Sequence, residues 1–200
     1  MVKEAVVYIL DASASMANTI FGETDRTRFQ VAQEGIQQQM ADLMLQTKTN
    51  ECSLIVLKTK ETSHHKYRPD DHIIKSELDS DNEQDHDTDE EEDPDPNQPP
   101  FPNMTELPPF GVNRPSVSLL RQVGDIQRSS SNDTTGGDFV DGLILAADAL
   151  HMRTHKKKYD RSIVLWTDCR GYNVAMDAQQ MLQTIDSLRE MDCRLVRAWR

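Results

Sequence analysis

Four short apolar runs rich in β-branched residues are spaced along the chain. They are Ala5–Leu10, Cys52–Leu57, Ser162–Thr167 and Cys193–Trp199. Continuous apolar runs of this length are typical of strands that are covered on both faces, as in a parallel sheet. The fourth run alternates more between apolar and polar residues, which favours a position nearer the edge of the sheet.

Helical patterns lie between these runs. Apolar residues recur at spacings of three and four, which places them on one face of a helix. The three stripes are Phe29, Ala32, Ile36, Met40 and Leu43; Phe139, Val140, Leu143, Ile144, Ala147 and Leu150; and Ala178, Met181, Leu182, Ile185 and Leu188. A fourth helix is predicted over 116–128. Strands that alternate with helices predict an α/β fold, with a doubly wound, mainly parallel sheet and helices on both faces.

The middle of the chain does not follow this pattern. Residues 77–98 read ELDSDNEQDHDTDEEEDPDPNQ, with twelve acidic residues and no Lys or Arg, and a proline-rich stretch follows. Such a segment cannot bury enough apolar surface to offset the entropy that ordering costs. We therefore predict one domain in two parts, 1–76 and 114–200, separated by a disordered or extended insertion over 77–113.

The acidic run accounts for the whole formal charge of −12, because the rest of the chain balances its acidic and basic residues. DNA binding without sequence preference depends on Lys and Arg that displace counterions from phosphates, so DNA binding by this chain alone is disfavoured. Three cysteines without metal-ligand spacing suit reduced thiols in a cytosolic or nuclear protein. No stretch approaches the roughly 18 apolar residues of a membrane span, so we expect no membrane partner.

Candidate chemistry lies where two predicted strands end. Asp11, Ser13 and Ser15 follow the first strand, and Asp168 follows the third run. Ligands of parallel sheets sit at the carboxyl ends of strands, where these side chains would meet. Carboxylates and hydroxyls suit Mg²⁺ or another hard divalent cation. The alternative is a loop whose Asp and Ser side chains satisfy their own backbone and a helix start. Both interpretations stay open on the sequence.

A hydrolase is disfavoured. The two serines lack the Gly-x-Ser-x-Gly turn of a nucleophile, and none of the six histidines has an identifiable place in a triad. We therefore expect no enzyme; a metal-dependent phosphohydrolase would show turnover that Asp11→Ala abolishes. His64, His65 and His72 lie in a polar connection, where we expect an exposed loop rather than a metal site.

The Asp-x-Ser-x-Ser motif, with a later Thr-Asp at the end of another strand, resembles the metal-ion-dependent adhesion site of von Willebrand factor A-type domains. The resemblance implies that Ser13 and Ser15 coordinate a cation, while Asp11 and Asp168 act directly or through water. In that family a threonine from a third loop completes the site. Here Asp138 stands in its place, although Thr134 and Thr135 lie close enough for a small shift. The candidate metal ligands are Asp11, Ser13, Ser15, Asp138 and Asp168.

Three stretches resemble the N-terminal domain of the larger subunit of the Ku heterodimer: KEAVVYILDASASM, GDFVDGLILAADAL, and YDRSIVLWTDCRG leading to DAQQMLQTIDSLREMDCRL. The resemblance implies a nuclear role in double-strand break repair by non-homologous end joining, and in telomere maintenance. The implied partners are the smaller Ku subunit and end-joining repair factors, with double-stranded DNA ends bound only through the full complex. Ku complexes are sometimes assigned ATP-dependent helicase activity, but this chain carries no catalytic motif. The intact Asp11, Ser13 and Ser15 depart from Ku large subunits, which often lose serine ligands.

The chain also resembles a second group of von Willebrand A-type proteins. Another intracellular von Willebrand A-type scaffold, such as a proteasomal ubiquitin-receptor subunit, also begins its domain within a few residues of the start. That interpretation lacks support in the segment that begins at Asp138. We also expect the chain to be a truncated fragment, because a parallel sheet that stops at Arg200 would leave apolar surface uncovered.

Overall fold

The computed structural model describes residues 3–19, 25–67, 99–109, 111–128, 137–170 and 178–198. Five strands form one sheet: β1 (Lys3–Asp11), β2 (Glu51–Leu57), β3 (Met104–Leu107), β4 (Tyr159–Trp166) and β5 (Cys193–Arg197). Their order across the sheet is β3-β2-β1-β4-β5. All neighbours pair in parallel except β3, which runs antiparallel to β2. The prediction of a mainly parallel sheet is confirmed.

Within the described ranges, four α-helices connect the strands: α1 (Arg28–Gln46), α2 (Val117–Asp125), α3 (Phe139–Thr154) and α4 (Ala178–Glu190). They cover both faces of the sheet, as predicted. One apolar core joins α1 and α2 to the sheet, and the other joins α3 and α4 to the opposite face. The central strand β1 serves both, because Val7 and Ile9 lie in one core and Tyr8 and Leu10 in the other.

Each of the first three helices begins at a capping side chain. Thr27 accepts from the backbone N–H of Gln30, whose side chain accepts in turn from the Thr27 N–H. Ser116 caps α2, and Asp138 caps α3. Such caps satisfy N–H groups that have no partner inside the helix.

The prediction that all of 77–113 is a disordered or extended insertion outside the domain is wrong for the C-terminal part of that range. Met104–Leu107 is a strand of the sheet, and Met104 and Glu106 are fully buried. Asn113 exchanges two backbone hydrogen bonds with Cys52, at 2.6 and 3.0 Å. The strand has only four residues, two of them polar, so it carries no apolar run that a pattern search detects. Residues 77–98, with the acidic run, lie outside the described residues.

The other edge of the sheet is β5, as its alternating pattern predicted. Leu195 and Val196 are 42% and 46% exposed there. Within the described ranges, no helix is both long enough and apolar enough to cross a bilayer.

Candidate functional site

The carboxyl ends of β1 and β4 meet at one edge of the sheet. The strands pair in parallel up to Leu10 and Trp166, so the next residues, Asp11 and Thr167, emerge side by side. A single 3₁₀ turn, Ala14–Ala17, then carries Ser15 back over this edge. The structure thereby brings Asp168 to Asp11, Ser13 and Ser15, although it follows Ser15 by 153 residues in the sequence.

Asp11 lies fully buried beneath the other residues of the site. Its side chain is fully buried, and both carboxylate oxygens accept hydrogen bonds. Oδ1 accepts from the Ser13 backbone N–H at 2.9 Å, and Oδ2 accepts from the Thr167 hydroxyl at 2.6 Å. Asp11 therefore fixes the loop after β1 to the loop after β4.

The two serines form a short chain of hydroxyls that ends at Asp168. Ser13 Oγ lies 3.0 Å from Ser15 Oγ, and Ser15 Oγ donates to Asp168 Oδ1 at 3.0 Å. A hydroxyl has one proton to donate. Since Ser15 donates to Asp168, Ser13 must be the donor to Ser15, and the chain of protons points toward the carboxylate.

Arg28 is the main charge partner of Asp168, and the exposed Arg170 lies farther from it. Arg28 Nη1 donates to Asp168 Oδ2 at 2.7 Å, and Arg170 Nε lies 3.8 Å from the same oxygen. The Arg170 backbone N–H also donates to Oδ1 at 3.0 Å. The Asp168 side chain is only 8% exposed, so these cations offset the cost of holding a carboxylate out of water.

Asp138 has a different role from the four residues above. Its Oδ1 accepts from the backbone N–H groups of Val140 and Asp141, at 2.8 and 2.9 Å, and thereby starts α3. The preceding Gly137, at a φ of +64°, packs against the backbone of Lys58 and Asn103. Thr134 and Thr135, the alternatives to Asp138 as a ligand, lie outside the described residues.

The resemblance to the adhesion-site motif implies a cation at this edge, and the residues fit one in spacing but not in charge. Ligand oxygens around Mg²⁺ at about 2.1 Å are separated by about 3 Å at adjacent octahedral positions, close to the two 3.0 Å distances here. Arg28, however, already places a guanidinium against Asp168. Among the described residues, no group of three or more His, Cys, Asp or Glu side chains could hold a metal ion. Because the Arg28 guanidinium lies against the Asp168 carboxylate, the site as arranged does not suit a divalent cation.

Arg28, Thr167 and Arg170 are the site residues that sequence reasoning missed. The signal for Arg28 was its position at the start of α1, where a cation is disfavoured by the helix dipole. A basic residue in such a position suggests a charged partner elsewhere in the fold. The partner could not be identified from sequence, because Asp168 lies 140 residues away.

A second polar cluster joins β3 to α3 through His65. The ring Nδ1 lies 2.8 Å from Glu106 Oε2, and Nε2 lies 3.0 Å from Asp148 Oδ2. Only the imidazolium can donate from both nitrogens. The expectation of an exposed loop is wrong for His64 and His65, because His64 is buried and the His65 side chain is 7% exposed. His72 lies outside the described residues.

The environment of His65 raises the pKa of its ring above the usual value. Burial acts in the opposite direction and favours the neutral ring. Hydrogen bonding and charge attraction, first from Glu106 and then from Asp148, outweigh burial. His64 differs, because burial lowers the pKa of its ring although the Pro100 carbonyl accepts from it. The pKa shifts of the two rings therefore run in opposite directions, upward for His65 and downward for His64.

The structure resembles two solved structures. One is an aerotolerance-related membrane protein from Bacteroides fragilis NCTC 9343 with multiple mutations to serines: the TM-score is 0.53 at 13% identity, over 97% of this chain and 66% of that chain. The other is the SpRpn10 VWA domain: the TM-score is 0.53 at 15% identity, over 97% of this chain and 87% of that chain. The chain thus spans slightly less than two thirds of the first protein. No protein-family model and no curated protein matches the sequence. The fold is von Willebrand factor A-like.

Proposed function

We propose that this chain is a non-catalytic protein-interaction domain with a von Willebrand A-like fold. The observation that carries the proposal is the hydrogen bonding of the two serines. In the part of the chain that the structure describes, their hydroxyls bond only to each other and to Asp168. A serine nucleophile needs a base such as histidine to take its proton, and Asp168 is already paired with Arg28. This arrangement therefore favours a protein-binding role for the carboxyl edge of the sheet over catalysis by either serine.

More specifically, the domain is the N-terminal interaction domain of a Ku large subunit. It acts in the nucleus, in double-strand break repair by non-homologous end joining and in telomere maintenance. The support is the resemblance of three sequence stretches, of which the one that begins at Asp138 is the most discriminating. The charge balance also supports this role, because DNA would be bound by other regions of the heterodimer while this domain docks repair factors.

The test is co-purification of the full-length gene product with the smaller Ku subunit. We expect a stable heterodimer that binds linear duplex DNA and fails to bind the same duplex when both ends are closed by hairpins. The 200-residue chain alone should bind neither DNA. A full-length product that forms no heterodimer, or that binds open and closed duplexes equally, would overturn the Ku assignment and leave the interaction domain.

The second candidate is another scaffold of the same fold, such as a proteasomal ubiquitin-receptor subunit. The likeness to the SpRpn10 VWA domain is the observation behind it. A fold shared at 15% identity is compatible with both candidates equally. Affinity purification separates them: this candidate requires the tagged full-length product to recover proteasome particles, and the Ku candidate requires the smaller Ku subunit instead.

A further inference from the structure

Arg28 occupies a position that its own helix disfavours. It is the first residue of α1, directly after the capping Thr27, and the first turn of this helix contains no acidic side chain. The N-terminus of a helix carries a partial positive charge, which repels a cation. The reason for an arginine at this position must therefore lie outside α1.

That reason is Asp168. The Arg28 guanidinium donates to Asp168 Oδ2 at 2.7 Å, and the two side chains are 25% and 8% exposed. The other oxygen, Oδ1, accepts from the Ser15 hydroxyl and the Arg170 backbone N–H. Arg28 thus supplies the full positive charge nearest to a carboxylate that is almost removed from solvent.

We propose that Arg28 is a resident counter-ion that takes the place of a divalent cation at this edge. The guanidinium closes the site to Mg²⁺ and Mn²⁺, and removal of its charge opens a cation site formed by Ser13, Ser15 and Asp168. This inference is independent of the proposed partners, because it concerns only residues within the described part of the chain.

Two features support the exchange of guanidinium for metal. The oxygens of Ser13, Ser15 and Asp168 already stand at the separations of adjacent octahedral ligands. A guanidinium also keeps its charge at every pH at which the protein is folded. A divalent cation beside Asp168 would therefore always meet a like charge from Arg28, and the two cannot share the carboxylate favourably.

The test compares three versions of the 200-residue chain: wild type, Arg28→Gln and Arg26→Gln. The last is the matched control, because Arg26 lies two residues away and pairs with the exposed Glu34 instead. Mn²⁺ binding is measured by the loss of the free-ion electron paramagnetic resonance signal, and Tm is measured with millimolar Mn²⁺ or with EDTA. We expect Mn²⁺ to bind only Arg28→Gln and to raise its Tm by about 5 °C, with wild type and Arg26→Gln unchanged.

Saturable binding of Mn²⁺ by wild type, at the same affinity as Arg28→Gln, would overturn the proposal. A folded Arg28→Gln chain that gains no Mn²⁺ binding would also overturn it. If Arg28→Gln is unfolded in EDTA, recovery of its circular dichroism spectrum on addition of Mn²⁺ supports the exchange, and failure to recover refutes it. Arg28→Lys, which keeps the charge, should exclude Mn²⁺ as wild type does.

Discussion

Individual side chains at the carboxyl edge have specific partners that fix the two loops. Asp11 and Thr167 are both fully buried and share a hydrogen bond of 2.6 Å between residues 156 positions apart. Thr167 Oγ1 also accepts from the Cys169 backbone N–H at 3.0 Å. A buried carboxylate that loses a donor bears the full cost of its missing hydrogen bond.

Thr167→Val tests this contact with nearly the same side-chain shape. We expect the free energy of unfolding to fall by about 1–3 kcal/mol, because Asp11 Oδ2 loses its donor in a buried setting. Urea denaturation gives the value. Thr49→Val is the control, because Thr49 is exposed and its hydroxyl bonds to the Thr47 hydroxyl at the surface, and its change should stay within about 0.5 kcal/mol. If both substitutions lowered the free energy of unfolding equally, the burial of Asp11 would not explain the effect of Thr167→Val.

Among the elements, the edge strand β3 and helix α3 are connected by His65. The histidine lies between a buried carboxylate on β3, Glu106, and a carboxylate on α3, Asp148. The Ser53 hydroxyl of β2 also donates to Glu106, at 3.2 Å. This network holds the four-residue β3 on the sheet although its sequence has little strand character.

The charge on His65 makes stability depend on pH. The folded pKa is raised above the ordinary value of 6.5, so the folded state binds the proton more tightly than the unfolded state. The contribution is fully present below about pH 6.5 and is lost as pH rises through the folded pKa. In wild type, the free energy of unfolding should decline over this window in urea titrations at a series of pH values.

His65→Gln should remove that pH dependence and lower stability by about 3 kcal/mol, because Glu106 stays buried without its counter-charge. His151→Gln is the control, since His151 is exposed on α3; it should keep the wild-type slope. If the free energy of unfolding of His65→Gln still declined between pH 6 and 8, a group other than His65 would be responsible for the pH dependence.

Helix α1 packs closely on the sheet at Gly35. A Cβ added there would lie 2.5 Å from Trp166 Cη2 and 2.9 Å from Cζ2. The indole is rigid and packed in the core, so Gly35→Ala should cost about 1–3 kcal/mol. At Gly124 in α2 the nearest atom is the end of the flexible Gln37 side chain, at 2.8 Å. Gly124→Ala should therefore be nearly neutral in thermal denaturation, because improved helix propensity offsets the displacement of Gln37.

At the scale of the whole molecule, the net charge comes from one segment of the sequence. The twelve acidic residues of 77–98 account for the net charge of −12, while the sheet and both cores are built from residues on either side of that run. The net charge of the chain is therefore set by a segment that lies outside the described residues.

Replacement of 77–98 by a roughly six-residue Gly/Ser linker should leave a cooperative thermal transition and change the free energy of unfolding by only about 1 kcal/mol, because closure entropy depends weakly on loop length. Ion-exchange elution should shift to that of a nearly neutral protein. Met104→Asp is the contrasting variant, since Met104 is fully buried in the core, and it should abolish the transition. Loss of cooperativity in the linker variant would show that 77–98 is needed for folding.

The sequence by itself determined the fold class, four of the five strands and the helices between them. Most of those elements have a continuous apolar run or stripe, and burial follows directly from such local patterns. The sequence also brought Asp11, Ser13, Ser15 and Asp168 to one edge, because parallel strands end together. Only the tertiary structure decided that Met104–Leu107 is a strand, that His65 is buried between two carboxylates, and that Arg28 neutralises Asp168. These features depend on partners up to 140 residues apart, and no local pattern records which charged side chain will meet which.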